Sequence, residues 1–275
     1  MSDALISVCI PVYNGEQTIK KTIESVLKQT YKNIEIIVLD NCSTDKTRDI
    51  VCSFNDSRLK LIVNECNVGM MGNWNRCFDY ASGEYMIIMC ADDIITPDCI
   101  GKKVSALDKY PDAVLAFSAS LVIDDTGKVI HSRHPFKKSI VADGRKMAHY
   151  SFKRHNLFAE PSNVVFRREI AEKAGRFDED IRYSVDWAYW MNLVIWGKAI
   201  YIDKELTHYR VSALNETSRL GIFRIIKDDF VFIQKMPKEL AVSLPEKIIH
   251  FLSVFTRAIV RFVFMKLISI VWRKK

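Results

Sequence analysis

Hydrophobic positions in the first hundred residues alternate between two patterns. Short unbroken apolar runs, "LISVCIPV", "IEIIVLD", "LKLIVN" and "EYMIIMC", are separated by segments in which apolar residues recur at helical spacing. In "EQTIKKTIESVLKQ" the residues Ile19, Ile23, Val26 and Leu27 share one helical face. "STDKTRDIVCSF", with Ser43 or Thr44 as cap, and "GNWNRCFDYAS" read as the next two helices. "TPDCIGKKVSALDKY" opens another, with Thr96 at the N-cap and Pro97 at the first helical position. Strands apolar on both faces, alternating with helices, predict a doubly wound and mostly parallel sheet flanked by helices. Ligands of such sheets bind beyond the carboxyl ends of the strands. Here the polar strand ends "YNGE", "DNCSTD", "NECN" and "ADD" should open onto one edge.

The second half is less regular. "AVLAFSASLVIDDTGKVI" predicts a strand, a turn at Asp125-Thr126-Gly127 and a return strand. Residues 131–143 are polar and loop-like, a candidate mobile cover. "SNVVFRREIAEKAG" reads as a strand and a helix ending at Gly175, and "SVDWAYWMNLVIWG" as a helix ending at Gly197. In that helix Trp187, Tyr189 and Trp190, with Trp196, could stack a sugar, although at helical spacing aromatics are more often core.

Composition narrows the classes. The chain has 275 residues, 49% hydrophobic and 27% charged, enough for one large α/β domain with an appendage. Seven cysteines, all at or before Cys99, are odd in number and lack CxxC spacing. They predict reduced core thiols in a cytosolic protein rather than disulfides or a zinc site. Residues 1–6 carry no secretory signal pattern. The formal net charge is +7, and "KIIHFLSVFTRAIVRFVFMKLISIVWRKK" (247–275) holds seven Lys or Arg and no acid, so residues 1–246 are formally neutral. No nucleic-acid-binding surface is therefore expected on the body. The tail is apolar nearly all round but never runs 18 residues without a charge. It predicts an interfacial helix on an anionic membrane, on the cytoplasmic face, with a core or homo-oligomer helix as the alternative.

No GxGxxG follows the first strand and no GxxxxGK[ST] occurs, so a nucleotide diphosphate here cannot rest on a glycine cradle. The other way to manage its charge is a divalent cation held by carboxylates, Mg²⁺ or Mn²⁺. In "IIMCADDIITPD" Asp92 and Asp93 end the fourth strand and supply that option; the bland alternative is a turn into the next helix.

Taken in order, "ISVCIPVYNGEQTIKKTIESVLKQTYKNIEIIVLDNCSTDKT", "NVGMMGNWNRCFDYASGEYMIIMCADDIITPD", "AGRFDEDIRYSVDWAYW" and "HYRVSALNET" resemble family 2 glycosyltransferases, nucleotide-sugar enzymes of the GT-A fold, over roughly residues 5–217. The resemblance implies a GT-A domain at 1–218, its donor half about 1–110 and its acceptor half about 111–218, with a helical extension at 219–275. It implies nucleotide-sugar contacts from Pro11, Tyr13, Asn14, Glu16, Asp40, Asn41, Asn75, Ala91 and Asp92, with Asn67 and Gly69 behind the base. Asp40 would accept from a pyrimidine ring N–H, favouring UDP or dTDP. Asn41 stands where many relatives have a second acid. Asp92 and Asp93 would hold Mn²⁺ or Mg²⁺, with Cys90 in place of the first acid of a DXD motif.

Asp186 matches the family's catalytic base, with Val185 replacing the usual neighbouring Glu. Its chemistry would be a single displacement with inversion through an oxocarbenium-like transition state. Glu160, Ser162, Asn163 and Trp187 match acceptor-side positions. Arg210, together with Asn215 and with Ser212 in place of a histidine, matches a segment near the diphosphate. The function implied is sugar transfer from a nucleoside diphosphate sugar to an acceptor hydroxyl of a glycan or lipid-linked glycan. A catalytically inactive nucleotide-sugar binder is the alternative. A sugar nucleotidyltransferase would normally begin with a glycine-rich phosphate loop, which "IPVYNGE" lacks.

Overall fold

A computed structural model describes residues 3–212 and 221–256. Ten strands form one sheet in the order β3-β2-β1-β4-β9-β6-β10-β5, with β7 paired to β6 and β8 to β10. The first four are β1 (Ile6–Val12), β2 (Ile34–Asp40), β3 (Leu59–Val63) and β4 (Tyr85–Ile88). They are parallel, with Val12 opposite Asp40 and Asp40 opposite Val63, so their polar ends emerge on one edge as expected. Every residue of β1 and β4 is buried.

The alternation along β1 and β2 explains that burial. Ile6, Val8, Ile10, Ile36 and Val38 pack on one face with α1 (Ile19–Leu27) and α4 (Cys99–Lys109). Cys9, Ile37 and Leu39 pack on the other with α3 (Gly69–Tyr80) and α7 (Val185–Val194). Each aliphatic side chain buried this way contributes about 1.5–3 kcal/mol.

Beyond β4 the sheet departs from the parallel pattern. β9 (Val164–Arg167) runs antiparallel to both β4 and β6 (Ala113–Ile123), and β10 (Lys198–Arg210) lies parallel to β6. β5 (Ile94–Ile95) pairs antiparallel with β10. That pairing, and the bond from Thr96 N to Leu206 O, keep the chain extended past the second aspartate. The helix expected to begin at Thr96-Pro97 therefore starts at Cys99, with Asp98 at its N-cap. α2 (Thr47–Cys52) likewise starts later than the expected Ser43 or Thr44 cap, because Ser43 and Thr44 bond to Asn14 and Asp40 instead.

The polar segment 131–143 is mostly strand rather than loop. β7 (Val129–Arg133) and β8 (Ile140–Asp143) take most of it, and His134 between them bonds to Asp203 and Glu205. α5 (Gly144–Phe152) and α6 (Arg168–Ala174) complete the body.

After the body come α8 (Ile222–Gln234) and a helix at 244–256, here α9. Phe232 of α8 joins the main core, and the buried His250 of α9 bonds through its two nitrogens to Phe152 O and Asp229, each at 2.7 Å. No helix among the described residues is long and apolar enough to cross a membrane. Residues 257–275, with the basic part of the expected membrane tail, lie outside the described residues, as does Asn215.

Candidate active site

A cavity of about 810 Å³ opens where the parallel strands end. Pro11 near the end of β1, Tyr13 and Asn14 after it, Asn41 after β2, and Cys90, Ala91 and Asp92 after β4 form one wall. Glu160, Arg182, Tyr183, Asp186 and Tyr209 come to it from the second half of the chain. A second cavity of about 770 Å³ lies between α4 and β8–β10, where its charged pair Asp98 and Lys102 is internally matched at 3.6 Å.

The loop carrying Asp92 is held from three sides. Thr22 of α1 donates to the carbonyls of Ala91 (2.9 Å) and Asp93 (2.8 Å), Ser25 accepts from Ile95 N, and Gln29 bonds to Thr96 O and Ile100 N. These three residues form a buried polar stripe beside the apolar face of α1. Ser162 accepts from Cys90 N at 2.9 Å and donates to Asp93 at 2.6 Å. Arg210 donates its backbone N–H to Asp93 (2.9 Å) and its guanidinium to the carbonyls of Asp92, Asp124 and Asp125. Arg210 is thus a buried clamp on the loop, a different task from the diphosphate contact expected of it.

Both oxygens of Asp93 already accept protein hydrogen bonds, and burial, with Asp92 beside it, pushes its carboxyl well above the usual range. Its first task is to fix the loop, which leaves Asp92 on the cavity wall. Cys90, Asp92 and Asp93 bring one potential ligand atom each within 4.8 Å of one another. One hard carboxylate facing an open cavity, with room for phosphate oxygens and water, fits Mg²⁺ or Mn²⁺. Burial raises the Asp92 carboxyl and holds the Cys90 thiol well above its ordinary value. Cys90 is therefore a weak ligand unless a cation displaces its proton.

Behind the strand ends, Asp40 is fully buried and is not among the cavity-lining residues: one oxygen accepts Ser43 N at 2.9 Å and the other has no hydrogen-bond partner. An unpaired buried carboxylate oxygen costs about 1–3 kcal/mol or more unless a ligand N–H reaches it. Asn41 belongs to an amide network that sequence inspection did not reveal. It donates to Asn67 (2.9 Å) and Gly69 O (3.1 Å), and accepts from Asn64 (2.9 Å) and Val68 N (3.0 Å). Asn64 in turn bonds Asn73, which donates to Leu39 O. The network shapes the 64–69 loop around Gly69, whose φ of +79° suits glycine.

Asn14 also sits at positive φ, with its side chain accepting from Thr44 N. Glu16 is turned to Lys46 N and Asn75 bridges to Phe177 in both directions, so these two brace neighbouring loops and are not among the cavity-lining residues.

The opposite wall centres on Asp186, in the first turn of α7, where a carboxylate also meets the helix dipole favourably. Its carboxylate accepts from Trp187 N (2.7 Å) and Asn156 (3.2 Å). Burial pushes its carboxyl up to about 7; the Glu160 charge adds to the rise, while the Trp187 N–H and Arg133 oppose it. Glu160 pairs with Arg133 and has one buried oxygen without a hydrogen-bond partner. Asn163 lies deeper, its carbonyl accepting from Ser118, Thr207 and the buried Lys103, whose ammonium burial pushes down. It anchors the turn that carries Ser162.

Trp187, expected to contact acceptor, is instead 5% exposed. It donates its indole N–H to Ser151 and packs on Phe232 and His250, so a sugar cannot stack on it. Tyr189 and Trp190 are core as well, and Trp196 is exposed outside the cavity lining. Arg133, Arg182 and Tyr209 were missed in the sequence; no local motif marks them.

Comparison with known proteins follows the same lines. Residues 7–175 match the model of the family described as glycosyl transferase family 2. An uncharacterized glycosyltransferase of Methanocaldococcus jannaschii is 32% identical over 216 residues, covering 77% of this chain and 72% of that one. The UDP-Glc:alpha-D-GlcNAc-diphosphoundecaprenol beta-1,3-glucosyltransferase WfgD of Escherichia coli is 43% identical over 109 residues, covering 40% of this chain and 43% of its own length. Among solved structures, residues 1–349 of S. aureus TarS in complex with UDP-GlcNAc superpose with a TM-score of 0.71. At 19% identity over 92% of this chain and 71% of that one, this shows a shared fold.

Proposed function

The chain belongs to glycosyl transferase family 2, and from that premise we propose that this glycosyltransferase moves a sugar from UDP or dTDP to an acceptor hydroxyl, with inversion, during glycan assembly. The observation that carries the proposal is a single cavity lined both by Asp92, at the end of the parallel strands, and by Asp186, at the start of α7. Asp40 lies behind the cavity wall with one oxygen unpaired; a base that reached it would need a ring N–H, as uracil, thymine and guanine have and cytosine does not, and the resemblance at this position favours the pyrimidines. A divalent cation on Asp92 would offset the negative charge of the departing diphosphate.

Asp186 takes the proton of the acceptor hydroxyl as its oxygen bonds to the anomeric carbon. The bond from that carbon to the diphosphate oxygen breaks, and its electron pair leaves with the nucleotide. A carboxyl titrating near 7 is matched to that proton transfer. Glu160, with Arg133 behind it, would orient the acceptor. The apolar, basic segment 247–275 would hold the enzyme on the cytoplasmic face of an anionic membrane, within reach of lipid-linked glycans such as the one named for the Escherichia coli relative.

Thermal shifts with UDP, dTDP, GDP and CMP, each with and without Mn²⁺, test the donor side. UDP or dTDP should stabilise the wild type more when Mn²⁺ is present, and Asp92→Ala should lose the metal-dependent part. No stabilisation by any of the four would reject the donor site.

A further inference from the structure

We propose that Arg182 contacts a phosphate carried by the acceptor, and that the acceptor is a lipid-linked phosphate or diphosphate whose hydrocarbon lies along α8. This rests on Asp186 being the base in the same cavity.

Among the described residues Arg182 is the one Lys or Arg that lines the cavity, four positions before Asp186. The other arginines near the site are committed, Arg133 to Glu160 and Arg210 to three backbone carbonyls. The guanidinium of Arg182 has no ion pair or hydrogen bond among the described residues; Glu179, which lines the same cavity, accepts from Asn75 at 3.5 Å. Yet the backbone beneath it is fixed. Asp228 of α8, 1% exposed, accepts Arg182 N at 3.1 Å and Tyr183 N at 2.9 Å, and pairs with Arg224 at 2.8 Å. A free guanidinium on a fixed backbone is suited to bidentate recognition of phosphate.

The next layer outward is apolar. Tyr183 packs on Ile225 of α8 and Val254 of α9. Phe223, on the same turn of α8 as Ile225, is 86% exposed, and α9 leaves Leu244, Ile248 and Leu252 exposed. The same part of the molecule therefore offers a carboxylate and a guanidinium in one cavity and, through Tyr183, a neighbouring hydrocarbon-compatible helix surface. These three groups match a sugar hydroxyl, its phosphate and a lipid chain. The diphosphate of the donor belongs at Asp92, on the strand-end wall, so the two phosphate demands fall on different residues. The seven basic residues from Lys247 onward, with no acid among them, add attraction to the anionic surface where such an acceptor resides.

Calorimetry on the full chain tests this with farnesyl phosphate, farnesol, inorganic phosphate and, separately, UDP with Mn²⁺. Wild type should bind farnesyl phosphate about tenfold more tightly than farnesol. Arg182→Ala should erase that difference and leave UDP affinity unchanged, and Arg182→Lys should keep part of it. Equal binding of farnesyl phosphate and farnesol by the wild type, or an unchanged difference in Arg182→Ala, would overturn the proposal. Loss of UDP binding in Arg182→Ala would assign the residue to the donor and overturn it as well. Inorganic phosphate binding as tightly as farnesyl phosphate would overturn the lipid half. Failure of the wild type to bind UDP would instead reject the donor site, and the farnesyl arms would still decide the role of Arg182.

Discussion

The two walls of the cavity are built differently. The strand-end wall comes from consecutive β-α units. Tyr13, Asn41 and Asp92 each follow a buried strand, and in-register pairing of β1 with β2 and β4 brings them together. The facing wall is assembled from distant pieces. Asp186 bonds to Asn156, Glu160 pairs with Arg133, and the backbone at Arg182 hangs on Asp228, 46 residues away. Regular topology brings the first set into place before any side chain makes a specific contact. Tertiary packing must place the second, and a substitution there can move the site without touching it.

The largest effect that would sharpen this contrast is expected at Asp186. Asp186→Asn should lower transfer, or hydrolysis of the bound donor, by about 10²–10⁴-fold while UDP affinity stays at the wild-type value. Transfer at the wild-type rate would remove Asp186 from the chemistry. Loss of UDP binding would show that the two walls are not separable.

The next effect is its pH dependence. With the Asp186 carboxyl near 7, kcat/KM should fall about tenfold per pH unit well below pH 7, as the base becomes protonated. The same shift governs stability. A carboxyl raised from 3.8 to about 7 on folding binds extra protons in the folded state across that interval, so its contribution is greatest at low pH and is lost as pH rises through 7. Asp186→Asn should therefore melt above wild type at pH 8 and lose more than half of that advantage at pH 5. An equal change in Tm at both pH values would contradict the burial of a titrating carboxylate.

A smaller effect is expected at the seam between the walls. Ser162 reaches from the acceptor side to Cys90 N and Asp93, and Ser162→Ala leaves both groups short of a partner. Denaturant unfolding should show a loss of about 1–3 kcal/mol, with weaker Mn²⁺-dependent UDP binding. Unchanged metal-dependent binding would mean that Asp92 is held by α1 and Arg210 alone.

The same contrast governs what could be read without the structure. The unbroken apolar runs of β1, β2 and β4 announced the buried parallel sheet, because strands covered on both faces have no polar side to show. The antiparallel insertion of β9 between β4 and β6 left no such trace, since "VVF" looks alike in either direction. The start of α4 was misjudged because Thr96-Pro97 has good capping chemistry. The competing pairing of Ile94 and Ile95 with β10 is a contact across more than a hundred residues. Polar residues within an amphipathic helix were equally silent. Nothing in the spacing of Thr22, Ser25 and Gln29 says that they face a loop rather than water.

On the facing wall, residue identity was legible before residue role. Asp186 and Glu160 do line the cavity. Trp187, one position after Asp186, turns into the core because successive helical side chains point about 100° apart. Arg210 was visible as a cation, but its commitment to three carbonyls depends on the turn at 124–125 being folded against β10.

The most direct test of a single displacement between the two walls is the anomer first formed from a bound UDP-α-sugar. Proton NMR of the product, or of the free sugar released on hydrolysis before it mutarotates, reads it whatever the acceptor. Attack assisted by Asp186 predicts the β-anomer as the first product. An α-anomer would require a second displacement or a front-face path, and would contradict the assignment of Asp186 as the base of an inverting transfer.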